Sequence, residues 1–371
     1  MIDARIAVIG GGIAGASLAA ELAAFANVVV IEAEAHPGVH ATGRSAAFWS
    51  ETYGGPLIQP LTTASYEFLQ YPPADFSTRS FLSPRGAVHL AHDRAVGELS
   101  DLLQAFAGSA VGLTRLSSPV LHAAIPGLRP AWANGVGEPA CSDIDVAALH
   151  AAYLSAFRRR GGTLLTDARV SRVERAGGRW TLRADDHTIV CDILVNAAGA
   201  WADACAALAG AAPLGIRPYR RTIVQLRVDP PAPADLPLVI DIEGRFYFKG
   251  EAGRRIWLSP HDETPCEPGD AAPEELDIAT AIDRLTQVVD WRPLRVERSW
   301  AGLRSFAPDR LPVIGYDGQV EGFFWCTGQG GFGVQTAPAI AKLAAALLLG
   351  STPEAMVGRI DAGAYSPARF A

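Results

Sequence analysis

The 371-residue sequence predicts an α/β fold with α+β character, in which a Rossmann-like nucleotide-binding domain is interrupted by a second domain. Three observations carry that expectation. A glycine-rich βαβ unit opens the chain, two further apolar strands flow into small residues far downstream, and stretches of different texture separate them. Residues 5–9 (RIAVI) read as a buried strand, followed at once by GGGIAG at 10–15 and an Ala/Leu-rich helix to about Phe25. NVVVIE at 27–32 is a second buried strand. DILVNAAGA at 192–200 and GFFWCTGQGGFGVQ at 322–335 repeat the strand-into-small-residue pattern, and the latter leads into a helix over about 336–349. Residues 46–140 and 216–298 are richer in proline and polar residues and contain alternating strands such as TIVQLRV and GRFYFK. The expected division is therefore 1–45, 142–214 and 299–371 for the nucleotide domain, with 46–141 and 215–298 forming the second.

Composition narrows the function. Hydrophobic residues make up 49% and charged residues 19%, so the chain can bury a large core and is not disordered. The net charge of −7 argues against a nucleic-acid-binding protein. Lys249 and Lys342 are the only lysines, so arginine is the default cation and each arginine is judged by its position. The five cysteines (Cys141, Cys191, Cys205, Cys266, Cys326) form no C-x-x-C pair, and the eight histidines show no metal-ligand spacing. No metal site and no disulfide framework are expected. A strand begins almost at Met1 with no signal-peptide pattern, and Leu343–Leu349 is far short of the ~20 residues that span a bilayer. These features predict a cytoplasmic protein with no transmembrane segment.

Gly10, Gly12 and Gly15 form G-x-G-x-x-G around Ile13 and Ala14, between a strand and a helix. The first glycine permits the tight turn, the second lets a pyrophosphate approach the backbone, and the third lets helix and strand pack closely. The helix N-terminus offers free N–H groups to the phosphates. Glu32 ends the second strand, where a carboxylate accepts the ribose 2′-OH and disfavours the 2′-phosphate of NADP. The choice between FAD and NAD rests on the rest of the chain. The glycine loop at 328–333 sits between a strand and a helix near the C-terminus, where a helix N-terminus stabilises negative charge on a reduced flavin. A split nucleotide domain also favours FAD.

Five segments in combination, GGGIAGASLAAEL, HPGVHATGRSAAF, VNAAGAWAD, WAGLRSFAPDRLPVIG and TGQGGFGVQTAPA, resemble the D-amino-acid oxidase, glycine oxidase and sarcosine oxidase (DAO) family of FAD enzymes. Within it the chain resembles the bacterial D-arginine dehydrogenases. The resemblance runs over essentially the whole chain. It implies an FAD domain interrupted by a substrate domain with a large, mainly antiparallel sheet over the flavin. It also implies oxidation of an amino acid at Cα by hydride transfer to flavin N5, the imino acid then hydrolysing to a 2-oxo acid and ammonia. By position, Glu32 resembles the ribose acid, and Arg44, Ser45 and Ala46 resemble the segment between pyrophosphate and flavin ring. Val170 resembles an adenine contact, and Ala198, Gly199 and Trp201 a second cofactor segment. Gly330, Gly331, Gly333, Val334 and Gln335 resemble the loop at the pyrimidine end. Members with covalent flavin carry a cysteine after the arginine of WAGLR; Ser305 to Ile314 has none, so FAD is expected to bind non-covalently.

The substrate residues follow from the same likeness and from chemistry. A planar guanidinium suits a carboxylate, and Arg221 and Arg304 match the family's anchors, with Arg220 beside Arg221 open to exchanging roles across a strand. Tyr53 and Tyr247 match two tyrosines that bracket the substrate. The departures concern specificity. Where the D-arginine enzymes carry a glutamate for the guanidinium, this chain has Ala87, and a desolvated guanidinium left unpaired there costs several kcal/mol. The family's His-Tyr-Thr run becomes Phe48, Trp49 and Ser50: an apolar residue, an aromatic wall and a hydroxyl near the substrate amine. Glu51 is the one conceivable compensating acid. His36, His40 and His89 are expected to be structural or exposed, and Asp145 to cap a helix beginning near Val146. A neutral, apolar D-amino acid is the expected substrate, with an unidentified electron acceptor. Oxidation of a secondary amine or a 2-hydroxy acid stays open, as does a non-catalytic FAD-binding redox module. The oligomeric state is not legible.

Overall fold

In the computed structural model, which describes residues 1–251 and 253–370, two large sheets stand side by side. The first has eight strands. Ile2–Ile9 lies at its centre, parallel to Val28–Ile31 on one side and to His187–Asn196 on the other. Thr163–Leu165 extends the parallel run beyond Val28–Ile31. The antiparallel pair Val170–Ala176 and Arg179–Ala184 joins the early half of His187–Asn196, whose later half pairs in parallel with Phe323–Thr327.

Strand alternation explains why these segments are apolar throughout. Ile6, Val8, Val28 and Val30 point to one face, packing with the helices Ile13–Leu22, Val146–Arg159 and Gly333–Leu349. Ala7, Ile9, Val29 and Ile31 point to the other, toward Trp180, Leu182 and the short helix Ala202–Leu208. The first helix, IAGASLAAEL, is buried on nearly every side, which is why it lacks a polar stripe. Asp145 caps its helix as expected, accepting from the Ala148 N–H at 2.9 Å. The C-terminal helix starts at Gly333, three residues earlier than the sequence indicates, so the end of the glycine loop is its first turn. Gly350, in the left-handed region at φ 64°, closes it.

The second sheet has nine strands and is mainly antiparallel; its one parallel contact joins Leu238–Asp241 to Ala87–Ala91. The long pair Arg217–Asp229 and Arg292–Phe306 dominates it. Arg292–Phe306 runs unbroken through residue 298, so the boundary expected there falls inside one strand. Val88, Leu90, Val224, Phe246, Phe248 and Leu258 face the helix Glu275–Val288 and make one core. The opposite face carries Ala87, Ile223, Leu238 and Tyr247 against Phe48. A small three-stranded sheet of Phe48–Trp49, Leu82–Pro84 and Ser142–Ile144 connects the two large ones. Among the described residues, no helix is long and apolar enough to cross a membrane.

The tightest backbone approach lies in the first glycine turn. A Cβ on Gly15 would sit 1.9 Å from the Gly10 carbonyl oxygen, and Gly10 itself has φ 104°. Gly15→Ala is expected to lower stability by roughly 1–3 kcal/mol, the usual cost of forcing an extra methyl into packed structure. A thermal melt of the variant beside the wild type checks this; an unchanged midpoint would show that the turn relaxes freely.

Candidate active site

The first βαβ unit builds one end of a long cleft. Gly10, Gly12, Ile13 and Ala14 line it, followed by Glu32, Arg44, Ser45, Val170, Ala198, Gly199 and Trp201. Gly330, Gly331, Gly333, Val334 and Arg304 close its far end. Fifteen of the eighteen expected cofactor positions thus come from distant segments into one wall, and three do not. Gly15 packs behind the turn, Ala46 lies in the apolar cluster with Phe48 and Tyr247, and Gln335 is turned away.

Several of these side chains are already held in place. Both Glu32 oxygens accept backbone N–H groups, from Gly11 at 2.8 Å and Glu34 at 3.0 Å, which fixes the carboxylate at the cleft. Arg44 does not reach freely into the cleft. Its guanidinium pairs with Asp270 and donates to the carbonyls of Ala271 and Ala301. Trp201 packs against His40, with ring centroids 4.9 Å apart, and His40 in turn contacts Glu34 at 3.0 Å. A Cβ on Gly331 would lie 2.2 Å from the Tyr53 hydroxyl and 3.0 Å from Arg304 Nε, so the glycine loop approaches these two side chains as closely as a backbone can.

Two residues that brace the glycine turn of this wall were not among the expected ones. Thr42 Oγ1 accepts from the Ile13 N–H at 2.9 Å, and His150 Nε2 donates to the Gly11 carbonyl at 2.8 Å. Burial lowers the His150 pKa, which keeps the ring neutral. The only available signal was their polarity, since neither lies within the glycine motif.

Of the expected substrate residues, Arg221, Arg304 and Tyr247 share one face of the second sheet. The register sets Arg221 opposite Gly302 and Tyr219 opposite Arg304, so Arg221 and Arg304 point the same way and sit diagonally. Arg220 points to the other face, where it pairs with Glu274 and with Asp277 at 2.9 Å. The ambiguity between the two arginines ends there. Arg221 is 1% exposed; its Nε donates to the Asp262 carbonyl at 2.8 Å and its Nη2 to Glu263 at 3.0 Å. Its Nη1, Arg304 Nε and the Tyr247 hydroxyl are buried and have no partner among the described residues. Burial, then the adjacent Arg304 cation, lowers the pKa of Arg221. Burial also works against charge on Arg304, but Tyr53 and Tyr247 outweigh it and hold its pKa above the ordinary value. Phe48, Tyr53 and Tyr247 form an aromatic cluster, with Phe48 5.2 Å from Tyr53 and 6.1 Å from Tyr247.

Three expected site residues lie elsewhere. Trp49 turns to the opposite side of its strand, donates to the Thr62 carbonyl at 2.9 Å and packs on Tyr66. Ser50 is fully buried and donates to Glu138 at 2.9 Å rather than facing a substrate amine. Glu51 is buried against Thr63 on the helix Gln59–Gln70, and burial raises its pKa, so it does not stand in for the acid missing at Ala87. Ala87 is buried on the site face, directly across from Glu138. His89 is structural as expected; it contacts Glu138 at 3.1 Å.

Glu263 bridges two cations at the mouth, 3.0 Å from Arg221 and 2.7 Å from Arg310. His261 stands beside them, its ring 5.7 Å from Tyr247. Burial, followed by the Arg221 cation, pushes its pKa down to about 3. A depressed histidine contributes stability above the unfolded-state pKa of about 6.5 and loses it as pH falls toward 3. The urea midpoint of the wild type is therefore expected to fall more steeply between pH 7 and pH 4 than that of His261→Asn. Parallel slopes would remove His261 from the account.

The cleft fits a dinucleotide cofactor. It joins a glycine turn at a helix N-terminus, an acid at the end of the second strand, and a second glycine loop that opens the helix Gly333–Leu349. Residues 5–347 match the FAD dependent oxidoreductase (DAO) family. Among curated proteins, the chain is 28% identical to hydrogen cyanide synthase subunit HcnC of Pseudomonas aeruginosa, over 50% of this chain and 44% of that protein. It is 26% identical to D-amino acid dehydrogenase 3 of Mesorhizobium japonicum, over 65% of this chain and 60% of that one. These matches span less than two thirds of either relative. The solved structure of glycine oxidase from Geobacillus kaustophilus has the same fold, with a TM-score of 0.86 at 22% identity, covering 100% of this chain and 99% of that one. The chain belongs to the FAD dependent oxidoreductase (DAO) family.

Proposed function

We propose that the protein oxidises the Cα of a D-amino acid with a neutral, apolar side chain. The observation that carries this reading is the group of buried donors without partners: Arg221 Nη1, Arg304 Nε and the Tyr247 hydroxyl. Neighbouring guanidiniums repel, and each unpaired buried donor is costly, so a substrate carboxylate between them offsets both effects. Residues 1–45, 142–214 and 299–371 hold the cofactor, and 46–141 and 215–298 hold the substrate, with strand Arg292–Phe306 shared between them.

FAD, held non-covalently because Ser305 to Ile314 contains no cysteine, would supply the hydride acceptor for such an oxidation, whose imino acid product hydrolyses to a 2-oxo acid and ammonia. The chain's own residues anchor and orient. Arg221 and Arg304 hold the carboxylate, Tyr247 donates to it, and Tyr53 with Phe48 excludes water and walls the Cα. The side chain points toward Phe48, Ala87, Ile223 and Leu238, all apolar and buried. A cationic side chain finds no acceptor there. Both Glu138 oxygens are taken by donors, and an acid at position 87 would face Glu138 across the strand pair, like charge against like. The likeness to D-amino acid dehydrogenase 3 supports the D-configuration. The glycine oxidase neighbour supports a second reading, a glycine-type or secondary amine held by the same anchors.

The test is anaerobic bleaching of the bound flavin with single D- and L-amino acids, sarcosine and 2-hydroxyglutarate. Fast bleaching by apolar D-amino acids with little from D-arginine is the expected result. Bleaching only by a secondary amine or a hydroxy acid would replace the reading, and fast bleaching by D-arginine would overturn the apolar pocket. Glu263 competes with substrate for Arg221, so Glu263→Gln is expected to lower the half-saturating concentration of the best substrate severalfold. Steady-state kinetics check this, and a raised value would show that Glu263 assists binding.

A further inference from the structure

Residues 48–53 carry two of the aromatic walls of the proposed substrate site, Phe48 and Tyr53, yet hold almost no regular structure beyond the two-residue strand Phe48–Trp49. Two buried polar side chains, one from a strand of the second sheet and one from the C-terminal helix, grip this segment. Glu138, the last residue of strand Asn134–Glu138 in the second sheet, is 1% exposed. Its Oε1 accepts from the Glu51 N–H at 2.7 Å and the Thr52 N–H at 3.4 Å. Its Oε2 accepts from Thr52 Oγ1 at 2.7 Å, Ser50 Oγ at 2.9 Å and His89 Nε2 at 3.1 Å. A carboxylate this deeply buried stays charged only when so many donors surround it; burial opposes its ionisation, but His89, Thr52 and Ser50 together hold its pKa below the ordinary value.

From the other side comes Gln335, 2% exposed, in the first turn of the helix that follows the glycine loop. Its Oε1 accepts from the Ser50 N–H at 3.2 Å, while its Nε2 donates to Thr62 Oγ1 at 2.8 Å and to the Tyr53 carbonyl at 3.3 Å. Between them the two side chains bond the backbone of Ser50, Glu51, Thr52 and Tyr53. The Tyr53 ring is then left between Phe48, at 5.2 Å, and Phe332 of the glycine loop, at 5.1 Å.

We infer that Glu138 and Gln335 are positioning residues, a two-sided clamp that fixes Phe48 and Tyr53 between the cofactor cleft and the substrate face. Neither lines the cofactor cleft; they act through the segment 48–53. For catalysis this inference rests on the proposed amino-acid oxidation, but the grip on the segment does not.

The variants are Glu138→Ala, Glu138→Gln and Gln335→Leu, all as FAD-bound enzyme. Backbone hydrogen exchange over residues 48–53 and the limiting rate of anaerobic flavin reduction by the best substrate are read together. Glu138→Ala and Gln335→Leu are expected to speed exchange in that segment and to lower the limiting rate by about tenfold or more, with FAD retained, because small displacements at a reacting centre cost rate heavily. Glu138→Gln is expected to recover part of the rate, since its amide oxygen still accepts from Glu51. Unchanged exchange at 48–53, or faster exchange with an unchanged limiting rate, would overturn the inference. Should Glu138→Ala fail to fold, Gln335→Leu, which buries no unpaired charge, decides the matter. If no amine or amino acid reduces the wild type, the functional reading fails, and exchange alone decides the clamp.

Discussion

The antiparallel pairing of Arg217–Asp229 with Arg292–Phe306 sets Arg221 opposite Gly302 and Tyr219 opposite Arg304, and the arrangement of the site depends on that register. A slip of one residue would carry Arg220 to the cleft and bury Arg221 against the helix Glu275–Val288, because side chains alternate between faces. The register is held by the core on the reverse face, where Val224, Leu226 and Val228 pack with Leu285 and Val288. It is held as well by Arg220, whose ion pairs with Glu274 and Asp277 lock that helix to the strand. An arginine that plays no part in the site thus keeps its neighbour in it.

Charge is distributed with the same economy. Arg221, Arg304 and Arg310 gather near His261, which stays neutral, and Glu263 bridges two of the three cations. The acids that could have neutralised the site fully are committed elsewhere: Asp262 holds Thr222, Asp143 binds Arg85 and Lys249, and Glu138 grips the segment 48–53. A local excess of positive charge, walled by tyrosines, suits the carboxylate of the proposed substrate, and the apolar cluster around Ala87 offers no acceptor to a cationic side chain.

The cofactor end and the substrate end are coupled through short stretches of backbone. The glycine loop at 328–333 comes within van der Waals reach of Tyr53 and Arg304 and then turns into the helix that supplies Gln335. Arg44 lies on the cleft but spends its guanidinium on Asp270 and on carbonyls near the second sheet. The sheets are therefore tied by residues that also face the cleft, which explains why the nucleotide-type segments can be so widely separated in the chain.

The sequence by itself determined the βαβ unit, the second glycine loop, the split into two textures and the residue types of the anchor. Each is a local signal: strand and helix periodicities, and glycines where a side chain would collide with backbone within a few residues, as Gly15 would with Gly10. The orientation of Trp49, the use of Ser50 and Gln335, the roles of Thr42 and His150, and the choice between Arg220 and Arg221 were decided only by the tertiary structure. Ser50 meets a carboxylate 88 positions away, and His150 meets a carbonyl 139 positions away. Such contacts depend on which strands become neighbours and in which register, and no periodicity within either segment encodes that.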